Sequence, residues 1–149
     1  MAQLQLLLDA VETYQNTFRH PKLPKFEISE LYCLFPDENW TGIKWPTTYE
    51  HTGRCGVYLM LPDENTVNYV GKTSMSSNFG SRLGSYFGYT DDRKGCRLWH
   101  EWETKPRFLL TIAVPETMEF EAPALEEYLI REIPDGLENR MGIQSTNGG

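Results

Sequence analysis

The sequence predicts an α+β fold: a small three-stranded sheet, antiparallel or mixed, with helices layered against it and a helical extension at the N-terminus. Three observations predict it. Apolar residues recur every three or four positions over residues 4–14, 79–87 and 125–133, the spacing of one helix face. The runs GVYLML, TVNYVGKT and RFLLTIAV are dense in branched and aromatic residues and are bounded by Pro, Asn, Asp or Gly, as strands are. The chain has 149 residues, 40% of them hydrophobic and 13% aromatic, enough for one core and too apolar for disorder.

Leu4, Leu7, Leu8, Val11 and Tyr14 define the first helix. Asp9 and Glu12 interrupt its apolar pattern and no basic flank precedes it, so it reads as an amphipathic helix rather than a signal peptide. Such a helix packs on its own domain, on a partner protein or on a second copy of the chain. LPKFEISELYCLF offers a further strand, and a turn-rich stretch with Trp40 and Trp45 follows it. Residues 1–52 thus form an extension of open role, while residues 53–149 carry the clear pattern of a domain.

GVYLML and TVNYVGKT flank PDEN, whose Pro and Asn mark a turn. If Pro62 to Asn65 close a four-residue turn, Tyr58 lies opposite Tyr69 and Gly56 opposite Gly71. Alternation then places Gly56, Tyr58, Met60, Val67, Tyr69 and Gly71 on one face and Val57, Leu59 and Val70 on the other. Two hydroxyls flanked by glycines suit the close approach of a ligand, although a tyrosine pair in a hairpin is more often plain cross-strand packing. In NFGSRLGSYF, Phe79, Leu83 and Phe87 form one helical stripe with Arg82 at its edge. RFLLTIAV lacks clean alternation, as a central strand covered on both faces does.

APALEEYLIREI is the last helix, with Pro123 in its first turn. Leu125, Leu129, Ile130 and Ile133 set its buried stripe. Glu126 falls on that stripe, whereas Glu127 points nearly opposite, into water. A buried carboxylate requires a cation, a donor or a metal, so Glu126 either pairs with Arg82 or holds an ion.

Several chemistries are excluded. Gly71-Lys72-Thr73 ends like a phosphate-binding P-loop, but the glycine needed five positions earlier is Thr66 and the intervening residues read as strand. Three widely spaced cysteines, Cys33, Cys55 and Cys96, make no disulfide framework and point to a reducing, cytoplasmic setting. Cys96 and His100 share a face if that segment is helical, yet no second Cys/His pair completes a zinc site. Asn39-Trp40-Thr41 matches a glycosylation acceptor, accidentally in a chain with no secretory signal. No stretch reads as membrane-spanning. A net charge of −7 counts against nucleic acid, although seven bases face four acids between Lys72 and Arg107, so one face is either a basic patch or an ordinary solvated surface.

Taken in order, these residues resemble the GIY-YIG nuclease superfamily, named for two tripeptides on adjacent strands. Gly56-Val57-Tyr58 stands for the first and Tyr69-Val70-Gly71 for the second. YVGKTSMSSNFGSRLGSYF is similar to the incision-nuclease domain of bacterial nucleotide excision repair, with Lys72 after the glycine and Arg82 in the helix. Glu126 with Leu129 and Ile130 meets the family's Glu-x-x-Leu-Ile, and Asn139 stands for its late asparagine in a segment, GLENRMG, of unusual spacing. The resemblance covers residues 53 to 142. The first 50 residues and the acidic charge depart from it.

The resemblance implies hydrolysis of DNA phosphodiesters with one magnesium or manganese ion held by Glu126. It implies that Tyr58 activates water, that Tyr69 assists, and that Arg82 stabilises charge on the phosphate. Tyr58 then needs positive charge nearby, because a free phenol ionises near pH 10. Lys72, on the other sheet face by strict alternation, reaches the site only if the strand twists or ends near Gly71. Arg93, Lys94 and Arg97, with Trp99 and Trp102 interleaved, are candidates to track the DNA backbone, although tryptophans at that helical spacing are more often core. The alternative is a module that keeps the fold and binds nucleic acid or protein without turnover.

Overall fold

The computed structural model describes residues 2–44, 49–89, 96–98, 102–133 and 137–139, with only the backbone of residues 89 and 96–98. The fold is α+β. In chain order its elements are β1 (Ala2–Gln3), α1 (Leu4–Phe18), β2 (Glu27–Ile28), β3 (Tyr32–Cys33), β4 (Ile43–Lys44), β5 (Gly56–Leu61), β6 (Thr66–Val67), β7 (Tyr69–Thr73), α2 (Phe79–Tyr86), β8 (Phe87–Tyr89), β9 (Cys96–Leu98), β10 (Phe108–Ala113) and α3 (Glu121–Glu132).

The main sheet runs β4-β3-β10-β5-β7, with β2 also pairing β10. Every residue of β5 and β10 is buried, which is why their sequences are continuous apolar runs: both sheet faces are covered. On one face α1 and α3 deliver Leu7, Val11, Leu125 and Leu129 onto Val57, Leu59, Val70, Leu110 and Ile112. On the other, α2 lays Phe79 and Leu83 on Tyr58, Met60 and Leu109. RFLLTIAV is thus the central strand its pattern predicts.

The sheet is larger than the three strands expected. The first 44 residues supply β2, β3 and β4 to it, and α1 to its core. The one strand that LPKFEISELYCLF offers is realised as two, β2 and β3, and each of the three strands is only two residues long, too short to show a period in sequence. Helix α1 is tied to the domain rather than left free. Tyr14 meets Tyr128 with ring centroids 5.3 Å apart, and Arg19 Nε donates to Glu121 Oε2 at 2.6 Å in a buried ion pair.

The hairpin register also differs. Tyr58 lies opposite Gly71 and Gly56 opposite Thr73, two residues from the expected pairing. The cause is local. The Asp63 carboxylate accepts hydrogen bonds from the backbone N–H groups of Asn65 (2.8 Å) and Thr66 (2.9 Å), and Thr66 and Val67 then pair with Gln3 and Ala2 instead of continuing the hairpin. Asn68 N–H returns to the Met60 carbonyl, so Asn68 and Tyr69 both stand against Met60, as in a β-bulge. A two-residue shift keeps Tyr58 and Tyr69 on one face, while the bulge turns Val67 to the opposite face, with Val57 and Leu59, against expectation.

Cys96, expected on a helix with His100, lies in a strand. Cys96–Leu98 is a strand antiparallel to Phe87–Tyr89, and His100 and Trp99 lie outside the described residues. No helix among the described residues is long and apolar enough to cross a membrane.

Candidate active site

Two glycines set the first part of the site. Gly56 has φ +156°, and a Cβ there would meet the Ile112 carbonyl oxygen at 2.0 Å, so β5 and β10 approach closely only because this residue lacks a side chain. At Gly71 the neighbour is a side chain, the ring of Tyr58 on the adjacent strand. The bare backbone of β7 lets that ring lie across it, beside Tyr69 at a centroid distance of 6.3 Å and 25° between planes.

Helix α2 brings the guanidinium. Asn78 caps its first turn by accepting from Ser81 N–H at 2.9 Å, and buried Phe79 and Leu83 fix which face meets the sheet. Arg82 and Tyr86, four residues apart, therefore project together toward the phenols. Arg82 Nη2 donates to Tyr86 Oη at 3.2 Å, and the hydroxyls of Tyr58 and Tyr86 stand 3.4 Å apart, a long contact. Trp102 closes the cluster, its ring 5.0 Å from Tyr69 and perpendicular to it, and 6.1 Å from Tyr86. Tyr86 was not anticipated, although its four-residue spacing from Arg82 is a signal that sequence alone carries.

Glu126 arrives from the other face. Ala122, Leu125 and Leu129 seat α3 on the sheet, leaving Glu126 half-buried and Glu127 exposed, as the helical stripe predicts. Because β7 is the last strand of its sheet, groups above and below it meet around its edge. Burial raises the pKa of Glu126, and the charges of Lys72 and then Arg82 oppose that rise. Glu126 in turn helps to raise the pKa of Tyr69. Among the described residues Glu126 makes no hydrogen bond or ion pair of its own, so of the two alternatives the Arg82–Glu126 ion pair is not formed there and the two charges attract at longer range.

Lys72 lies opposite Val57, on the α3 face as alternation predicts, with Nζ 3.1 Å from Ser74 Oγ. That face is where Glu126 sits, so no strand twist is needed to bring the two charges near each other. Asn139 is occupied: its Oδ1 accepts from Val70 N–H at 2.8 Å and its Nδ2 donates to the Val70 carbonyl, so its amide stands in for a strand on the outer edge of β7. Arg93 and Lys94 lie outside the described residues, as does the Arg97 side chain; the Arg97 backbone pairs with Gly88 in β9.

The phenols are less available than the resemblance implies. Tyr58 has no solvent exposure, and burial, then its bond to Tyr86, pushes its pKa far above the ordinary phenol value despite Arg82. Tyr69 is raised for the same leading reason, though it remains partly exposed. Arg82 is itself held in the charged state most strongly by its hydrogen bond with Tyr58.

For a metal, no group of three or more His, Cys, Asp or Glu side chains converges among the described residues. A hard cation that keeps several waters needs one or two protein carboxylates plus substrate oxygens, which Glu126, without an ion pair among the described residues, fits. No protein-family model, no curated protein and no solved structure matches the chain.

Proposed function

We propose that the chain is a divalent-metal-dependent endonuclease of the GIY-YIG type, hydrolysing phosphodiester bonds in DNA. One observation carries this reading. A half-buried carboxylate without a partner of its own, Glu126, and a guanidinium, Arg82, sit on opposite faces of one edge strand within each other's field, beside the packed phenols of Tyr58, Tyr69 and Tyr86. A purely structural acid at that depth gains by pairing, and this one does not pair among the described residues.

Glu126 is assigned to hold magnesium or manganese. When bound, that ion supplies charge neutralisation at the phosphate and acidifies water. Arg82, exposed and committed through one nitrogen to Tyr86, keeps other N–H groups for a phosphate oxygen. Lys72, with Arg93, Lys94 and Arg97, is assigned to the DNA backbone, and the location is taken as cytoplasmic.

A second reading has an observation of its own. Tyr58 is wholly buried behind Tyr86 and the net charge is −7, both of which suit a module that binds without cutting. Metal-dependent nicking or linearisation of supercoiled plasmid and of branched DNA, abolished in Glu126→Gln while that variant stays folded, supports the nuclease. Wild-type protein that binds these DNAs and cuts none of them supports the module.

A further inference from the structure

We propose that Met75 is a wedge for DNA: its side chain enters between two stacked bases, so that the preferred substrate is a duplex already opened at a mismatch, bulge or branch. The proposal rests on the nuclease reading for its choice of nucleic acid and adds the form of DNA that the site takes.

Backbone strain is the first reason. Met75, in the turn between β7 and α2, has φ +50°, and among the described residues it is the only one other than glycine with a positive φ. That region disfavours any residue with a Cβ, and glycine would make the same turn without strain. Exposure is the second. Met75 is 77% exposed, more than any other large apolar side chain among the described residues, so contacts within the fold do not account for its presence. The side chain adds no burial while its conformation subtracts from stability, a combination that persists where function requires it.

The turn is also braced. Ser77 N–H donates to the Ser74 carbonyl at 3.3 Å, Cys55 Sγ donates to the Ser77 carbonyl at 3.0 Å, and Phe79 N–H donates to the Arg54 carbonyl at 2.9 Å. On the other side Thr73 ends β7 opposite Gly56. A wedge must be held against the stack that it opens, and these bonds hold it.

Charge selects the partner. Residues 65–90 contain Lys72 and Arg82 and neither Asp nor Glu, in a chain that carries 21 acids. Met75 falls between these two bases, flanked by Ser74, Ser76 and Ser77, whose hydroxyls suit phosphate. Lys72 Nζ stands 3.1 Å from Ser74 Oγ, so an ammonium reaches the residue next to the wedge. Proteins that kink a duplex insert thin apolar side chains, methionine among them, between base steps while cations hold the phosphates alongside. Phe120, 67% exposed, does not qualify: it has helical angles and stands between Glu119 and Glu121, which repel a polyanion.

Binding to two short duplexes of one sequence tests this, one fully paired and one with a single-base bulge beside a 2-aminopurine, in EDTA so that the DNA stays intact. Wild type binds the bulged duplex at least about tenfold more tightly than the paired one and brightens the 2-aminopurine, because the bulge lowers the energy of unstacking. Met75→Leu, still apolar, keeps both effects. Met75→Gly binds the two duplexes within about twofold of each other and leaves the 2-aminopurine dark. Its denaturation midpoint without DNA equals or exceeds that of wild type, since glycine suits the turn. Preference and brightening that survive in Met75→Gly, or that wild type never shows, overturn the wedge. So does a markedly lower midpoint in Met75→Gly, which would mean that the side chain packs on the fold. Plasmid cleavage by wild type with magnesium, read separately, leaves the nuclease reading standing in each of these cases. A wild-type preference that Met75→Gly loses, in a protein that cuts no DNA, keeps the wedge and gives it to the module that binds without cutting. Wild type that binds neither duplex overturns the wedge and the DNA reading together.

Discussion

The ring of Tyr58 lies across Gly71, its direct partner on the neighbouring strand: a methyl group on Gly71 would sit 2.2 Å from Tyr58 Cζ and 2.3 Å from its hydroxyl oxygen. The glycine of the second tripeptide therefore makes room for the tyrosine of the first. Gly71→Ala must push a fully buried ring against Tyr69 and Tyr86, at a cost of about 1–3 kcal/mol. Gly84, in an exposed turn of α2, has nothing within 4 Å of its added Cβ, so Gly84→Ala should stabilise by about 0.5–1 kcal/mol. Urea denaturation of the two variants reads the contrast. Equal effects of the same sign would show that the ring does not depend on the gap.

Glu126 separates a functional acid from a structural one through stability. Its folded pKa is raised, chiefly by burial, so between the unfolded and folded values the folded state holds more protons and stability falls as pH rises. Glu126→Gln removes that cost. The variant should be at least as stable as wild type at neutral pH, with a shallower decline from acid toward neutral pH, while metal-dependent cleavage disappears. A marked loss of stability would instead reveal an ion pair holding α3 in place. Thermal midpoints across pH supply the answer.

Sequence reading recovers the long elements and much of the candidate site because their signals are local. The α3 stripe separates Glu126 from Glu127, and the α2 stripe places Arg82 at the sheet, using nothing beyond helical geometry. What escapes it depends on distant partners. The pairing of Thr66 and Val67 with the N-terminal Gln3 and Ala2 shifts the hairpin, and no feature of GVYLMLPDENTVNYVG announces that competition. Strands β2 and β3 lie within LPKFEISELYCLF, where a further strand is expected, but its division into two two-residue pairings is set by the second edge of β10 and not by that stretch alone. The burial of Tyr58 beneath Tyr86 arises where β5, β7 and α2 meet. It is a property of packing rather than of any one segment.

Asn139 distinguishes an edge cap from a contact to nucleic acid. Its amide satisfies both the N–H and the carbonyl of Val70, next to Tyr69 on the free side of β7. In Asn139→Asp an acceptor remains for the N–H, but the carbonyl loses its donor and faces a carboxylate. The expected loss is about 1–3 kcal/mol, visible as a lower denaturation midpoint with no DNA present. Unchanged stability together with weaker DNA binding would move Asn139 from the edge of the sheet to the nucleic-acid surface.

His51 should make the fold sensitive to acid. Its ring is 2% exposed, with Nδ1 2.9 Å from Thr111 Oγ1 on β10 and Nε2 3.8 Å from Glu27 Oε2, and it stacks on Phe79 of α2 at 6.3 Å. Burial is the largest influence and lowers its pKa. Glu50 and Glu27 pull the other way, and Arg54 adds to the lowering. The unfolded chain therefore binds a proton at this residue near pH 6.5 while the folded chain does not. Above that value the term is constant. As pH falls through it, the unfolded state gains protons that the folded state refuses, so stability drops until the folded value is reached. His51→Asn keeps a polar group near the Nδ1 position and cannot titrate. It should be less stable than wild type at neutral pH, by about 1 kcal/mol or more for the lost ring packing. Its stability should nevertheless fall less steeply below about pH 6.5. The difference between their denaturation midpoints across pH reads the proton bound at His51 together with its coupling to Glu27 and Glu50. Parallel curves would mean that the folded protein accepts a proton on this ring as readily as the unfolded chain does.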